Sequence, residues 1–297
     1  MCTLPWRDEP QCFHFLSQSR GVLRDIDAIH GLIGTVVNAD RVGGARTYLV
    51  ELPVGWRHTE HASAAALEIF MLEGQLEVEG SILGCGGYVD VPQGTGGVEM
   101  YSQRGALALV LWTPDRRQFP PPYSAVTVTR TWQEPWVESV LGAHGIMHKS
   151  LRRPDFTGHG FDGGPGGYLR LMFVAPGVAD PMEHVHYECW EGVFTLAGDI
   201  LQVNEAVIAH GSYLGHPAGF FHAPIVSHSG CVLLVQTDAP MGFPWPRREY
   251  DGGPELVQRY LDGSSWAAIP SHREWISLRD QLEDVAQKRV SVSEGTL

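Results

Sequence analysis

From residue 46 onward the chain alternates short apolar runs with breaks rich in glycine and proline. RTYLVELPVG, LEIFMLEGQLEVEG, GGYVDVPQGTGG and ALALVLWTP are runs of strand length, bounded by residues that interrupt a ladder. The second half repeats the first in order. YLRLMFVAPGV parallels RTYLVELPVG, EGVFTLAGDILQVN parallels EIFMLEGQLEVEG, AHGSYLGHPAGFFH parallels CGGYVDVPQGTGG, and CVLLVQTDAP parallels LALVLWTPD. An internal repeat of this length predicts two copies of one fold. Each copy is expected to be an all-β antiparallel jelly roll that buries apolar residues between two sheets.

The pattern also suggests boundaries. The first barrel is expected over 1–114, a proline-rich linker (DRRQFPPPYSA) over 115–125, the second barrel over 126–245, and an extension over 246–297. Consecutive prolines cannot continue a ladder, which is why the linker falls there. In the extension Trp275, Leu278, Leu282 and Val285 fall on one helical face. An amphipathic helix is expected there, packed on a barrel or on another subunit. Residues 1–45 show no period that separates helix from strand.

Composition narrows the picture. A chain of 297 residues, 43% apolar, suits two ordinary domains with real cores. The 35 glycines and 20 prolines favour many turns, hence many short strands. The net charge of −13 makes a nucleic-acid backbone a poor partner; solubility accounts for it. The five cysteines, Cys2, Cys12, Cys85, Cys189 and Cys231, are odd in number and form no C-x-x-C pair. That argues against a disulfide framework or a zinc ribbon and suits a reducing cytoplasm. No signal peptide and no membrane-spanning run is read. A cytoplasmic protein, a homodimer with a small-molecule substrate, is expected.

Candidate chemistry is concentrated between Gly177 and His222. His184 and His186 lie two apart in a strand-like run, so both imidazoles face the same way. Glu191 opens the next apolar run. His222 arrives after HPAGFF, where proline and glycine force a turn. Three imidazoles and a carboxylate from neighbouring strands suit a mononuclear metal site. Glu188 competes with Glu191 as the carboxylate, because by strand parity it follows His186 inward. Counted along a strand from His222, His228 shares its face and is a candidate acid or base, as is the nearby Tyr213. His210 and His216 read as loop residues.

These residues carry a resemblance to the cupins, small β-barrels with two signature motifs. Gly177, His184, His186, Glu191 and Gly198 match the first motif, with one extra residue between Gly177 and His184. Gly211, Pro217, Gly219 and His222 match the second. With the repeat, the chain resembles a bicupin. The resemblance implies one divalent transition metal held by His184, His186, Glu191 and His222, and its spacing favours Glu191 over Glu188. Ligand softness does not choose among iron, manganese, nickel, cobalt and zinc; the resemblance favours Fe(II).

The first copy departs from the pattern. His58 and His61 are separated by two residues and point to opposite faces of an unbroken strand, while His58 and Glu60 share one. The position matching His222 falls near Gly97. The first site therefore reads as lost, with an altered site from His58, Glu60 and Glu68 as the alternative. By resemblance the activity is expected to be that of a cupin dioxygenase acting on a diketone, hydroxyketone or phenolic compound. A metal-dependent isomerase or lyase of a secondary-metabolite pathway is the alternative, and a non-catalytic small-molecule-binding cupin the third reading.

Overall fold

The computed structural model describes residues 4–24, 27–61, 65–114, 125–138, 145–152, 167–180, 182–202, 206–222, 225–227, 229–241 and 247–249. The expected C-terminal helix, most of the proline run and His228 lie outside them. The described residues form β-strands joined by turns, with three short 3-10 turns and no α-helix. No described helix is long and apolar enough to cross a membrane. The chain divides into two compact units, each built of antiparallel sheet.

In the first unit a seven-stranded sheet runs in the order Thr127–Arg130, Gly87–Val91, Ala65–Gly74, Ala106–Pro114, Arg46–Leu52, Ile33–Ala39, Gly21–Val22. A four-stranded sheet holds Trp56–Glu60, Val98–Ser102, Leu76–Val78 and Ser81–Leu83. Alternation explains what fills the space between them. Tyr48, Val50, Leu67, Ile69, Met71, Val89 and Val110 come from the first sheet, and Leu76, Val78, Leu83, Val98 and Met100 from the second; they form one buried cluster.

The second unit repeats the plan. Its main sheet runs Gln11–His14, Ser212–His216, Glu191–Gln202, Cys231–Thr237, Leu169–Val174, Ile146–Ser150, Val137–Glu138. The long strand Glu191–Gln202 also pairs with Ala206–Ala209 and Ile225–Val226. It carries a register shift between Thr195 and Ala197. Just beyond the shift, Gly198 has φ +72°, and an added Cβ would lie 1.8 Å from the Gly230 carbonyl oxygen. Only glycine fits there, which gives the last glycine of the first motif its physical reason.

The units divide at places other than the proline run. Thr127–Arg130 pairs with Gly87–Asp90 and so completes the first unit, which extends to Pro135. Gln11–His14 pairs with Ser212–Gly215, so residues 7–16 belong to the second unit. Strands that close a sheet edge are recruited by pairing, and pairing partners are not visible in local composition.

Candidate metal centre

The site lies in the second unit. The strand Met182–His184 ends at the first imidazole and the chain runs on through Val185 to His186. His184 and His222 exchange backbone hydrogen bonds in both directions, each 3.0 Å. The turn after Pro217 is tied to the same point, because the Gly219 amide donates to the His186 carbonyl at 2.8 Å. Gly219 takes φ +81°, the left-handed region the turn requires. Local turn chemistry thus delivers the third imidazole to the first two.

The three rings are buried and close. Their centroids are 5.0 Å apart for His184 and His186, 4.3 Å for His184 and His222, and 5.1 Å for His186 and His222. Their nitrogens form one group able to hold a metal ion; Glu191, His216 and His222 form a second, and within each group the atoms lie within 4.8 Å of one another. His222 is common to both. Glu191 is buried while Glu188 is exposed, so Glu191 is the carboxylate in place.

Electrostatics favour a cation here. Burial pushes the His186 imidazole down to about 4, and pushes His184 well below its ordinary range, with His222 and His186 adding repulsion. Both rings are neutral, as metal ligands must be. Burial would raise the Glu191 carboxyl, but the His216 and His222 imidazoles beside it outweigh that and hold it well below the usual range. His222 supplies the sharpest test of fit. Its Nδ1 lies 3.1 Å from the Phe220 carbonyl oxygen, an acceptor, and so carries the proton. Its Nε2 stands 3.1 Å from Glu191 Oε2, a separation that one shared proton or one metal ion bridges. The residues fit a divalent metal.

The carboxylate has further neighbours. Tyr168 Oη donates to Glu191 Oε1 at 3.2 Å, and Arg170 Nη2 donates to Tyr168 Oη at 3.1 Å. The guanidinium also lies over the Tyr168 ring, 4.2 Å from its centroid. Tyr168 and Arg170 are buried and two apart on the same side of the chain at Leu169–Val174. Their importance had no local signal: they lie 23 and 21 residues before Glu191, and only the sheet brings them to it.

The structure corrects two expectations at the site. Tyr213 is fully buried, but it belongs to the opposite face of its strand. It packs against Phe13 at 5.2 Å and Phe194 at 4.8 Å, whereas the site side is taken by His216, three residues on. Strand parity sends residues an odd number apart to opposite faces. His216 is not a loop residue. It ends the strand Ser212–His216 and is buried directly opposite Glu191. His210 is exposed, as a loop residue should be.

The first unit is different. His58 Nε2 lies 3.3 Å from Glu60 Oε2, and the His58 ring stacks on Trp56. Glu68 instead hydrogen-bonds Tyr88, and its strand neighbours Leu67 and Ile69 fill the core. His61 is exposed. Among the described residues no group of three potential ligands occurs in this unit.

No family model matches the sequence, and no curated protein matches it. Solved structures do match in shape. A candidate dioxygenase from Nostoc punctiforme superposes with a TM-score of 0.63 at 17% identity, covering 82% of this chain and 87% of its own. A candidate glyoxylate-induced protein from Pseudomonas aeruginosa gives 0.59 at 16% identity, covering 74% of this chain and 84% of its own. An oxalate decarboxylase from Lactobacillus farciminis, in complex with formate, gives 0.50 at 12% identity, covering 89% and 99%. The jelly-roll sheets, the internal repeat and these likenesses agree: the chain has the fold of the cupins.

Proposed function

We propose that the second unit is the catalytic half of a metal-dependent cupin enzyme, an oxygenase acting on a small organic substrate such as a diketone, hydroxyketone or phenolic compound. One observation carries the reading: three buried imidazoles and a buried carboxylate converge where Nε2 of His222 and Oε2 of Glu191 face each other at 3.1 Å. His184, His186, Glu191 and His222 would hold a divalent ion, taken to be Fe(II). When bound, the ion would supply Lewis acidity toward a chelating substrate and an electron path to O₂.

The chain's own groups have distinct tasks. Neutral His184 and His186 present lone pairs. Tyr168, kept protonated because burial raises its hydroxyl well above the ordinary range, donates to Glu191 and fixes the carboxylate's orientation. Arg170 orients Tyr168 in turn. Met172, Val193, Leu214, Leu233 and Val235 belong to the buried apolar cluster of the same unit.

The Arg170–Tyr168–Glu191 chain favours a second reading, an isomerase or lyase, because it could steady a proton or an anion without O₂. Metal analysis of freshly purified protein, with an oxygen electrode run against diketones and phenols, tests the proposal. Substrate turnover with O₂ uptake supports the oxygenase. Turnover under nitrogen supports the alternative, and absence of metal defeats both.

A further inference from the structure

We propose that His216 is a positioning residue of the metal centre, which holds the Glu191 carboxylate in line with His222. The inference rests on the metal reading above and adds a residue at a position that neither signature motif specifies.

Register places it. In the antiparallel pair of Ser212–His216 with Glu191–Gln202, His216 is the direct partner of Glu191. On the other side Glu191 pairs with Thr237. Directly opposed side chains on one face have Cβ atoms about 4.5–5.5 Å apart. Register therefore sets the His216 side chain beside that of Glu191. His216 Nδ1 lies 3.7 Å from Glu191 Oε2, the same oxygen that His222 Nε2 approaches to 3.1 Å. The ring is 1% exposed.

Packing fixes the orientation. The His216 ring lies flat against His222, centroids 4.1 Å apart and planes 12° from parallel. Phe220 stacks on it at 5.9 Å and 6°. The imidazole packs parallel to both rings, which limits its rotation and keeps its in-plane nitrogen aimed. Glu191 joins His216 and His222 in one ligand group, and is not in the group of His184, His186 and His222. The carboxylate thus reaches the three imidazoles of the motif from a position that His216 helps to set.

An outer-shell partner that orients a ligand typically contributes about 10–100-fold to metal affinity. His216 Nδ1, 3.7 Å from Glu191 Oε2, acts on the carboxylate through charge and ring placement rather than through a hydrogen bond. The test measures Mn(II) and Fe(II) dissociation constants by chelator competition for wild type, His216→Phe, His216→Asn and His186→Ala, with the thermal midpoint of each metal-free protein as control. His216→Phe keeps a flat ring beside His222 but carries no nitrogen facing Glu191. His216→Asn keeps a polar nitrogen near Glu191 but does not stack. The expected result is affinity weakened about 10- to 100-fold in His216→Phe and largely restored in His216→Asn. Wild-type affinity in His216→Phe would show that the ring only fills space and would overturn the proposal, while leaving the metal centre standing. Wild type binding no more tightly than His186→Ala would overturn the metal reading and this proposal together.

Discussion

Replacing Tyr168 with phenylalanine removes one oxygen from the centre of the second unit and nothing else. The ring stays, so the volume is kept and the guanidinium of Arg170, 4.2 Å over that ring, keeps an aromatic face beneath it. The hydrogen bonds with charged partners are lost, Tyr168 to Glu191 at 3.2 Å and Arg170 to Tyr168 at 3.1 Å, both buried, together with a weak contact to Met241 Sδ at 3.6 Å. A hydrogen bond to a charged group contributes about 1.5–3 kcal/mol net. Glu191 retains the imidazoles beside it, so its loss falls at the low end. Arg170 loses an acceptor in a site with little access to water. The sum expected is about 3 kcal/mol off the unfolding free energy of the metal-free protein, or roughly a 6–12 °C drop in Tm for a domain of this size. Metal affinity should fall with it, by about 10-fold or more, since Glu191 loses an orienting donor.

Urea unfolding followed by tryptophan fluorescence reads the first number, and chelator competition the second. Tyr213→Phe is the matched control. It deletes the same atom from another buried tyrosine, on the face of the strand Ser212–His216 turned away from the site, and it should leave metal affinity unchanged. If Tyr168→Phe and Tyr213→Phe moved metal affinity equally, or neither did, the assignment of Tyr168 to the site would be refuted.

The remaining expectations concern ligands, protons and thiols. About one metal ion should bind per chain, lost in His184→Ala, His186→Ala and His222→Ala and retained in His61→Ala, as read by metal analysis; a second ion surviving His222→Ala would place a site in the first unit. His148 is buried in the second unit and pushed down to about 2, by burial first and then by Arg170, from an ordinary value of 6.5. The unfolded chain therefore takes up that proton first as pH falls. Stability from this group is complete above pH 6.5 and is lost below it, by about 1.4 kcal/mol per pH unit. His184 and His186 are pushed down in the same way and add to the slope in the metal-free protein, so urea unfolding at several pH values between about 7 and 4 should find a steeper dependence, reduced by about this amount in His148→Gln. Cys189 and Cys231 are buried, and burial raises both thiols well above the ordinary range. A thiol reagent should label exposed Cys12 in the folded protein, and those two only after unfolding.

Features that depend on short stretches of chain were legible in the sequence. Glycine and proline spacing marked the strands, and the repeat of strand-length runs marked two barrels. His184, His186 and His222 could be placed together because two residues on one extended segment share a face and because Pro217 and Gly219 make a turn. The exposure of Glu188 and burial of Glu191 followed the motif and overrode simple parity, since the strand ends at His184 and the count does not carry across Tyr187 and Glu188.

Other features waited on strand pairing. Tyr213 is near the ligands in sequence but lies on the wrong face, because the strand to which it belongs presents Leu214 and His216 inward. His216 looked like a loop residue beside a proline until the register set it against Glu191. Tyr168 and Arg170 reach Glu191 only through the intervening strand Cys231–Thr237. The units' edges also depended on pairing, with Gln11–His14 joining one sheet and Thr127–Arg130 the other. The sequence by itself determined what recurs at short range: strands, turns, the repeat and the placing together of the motif histidines. Only the tertiary structure decided which side chains surround the carboxylate. A sheet joins residues far apart in the chain, and a shift of one residue in register turns every side chain to the other face.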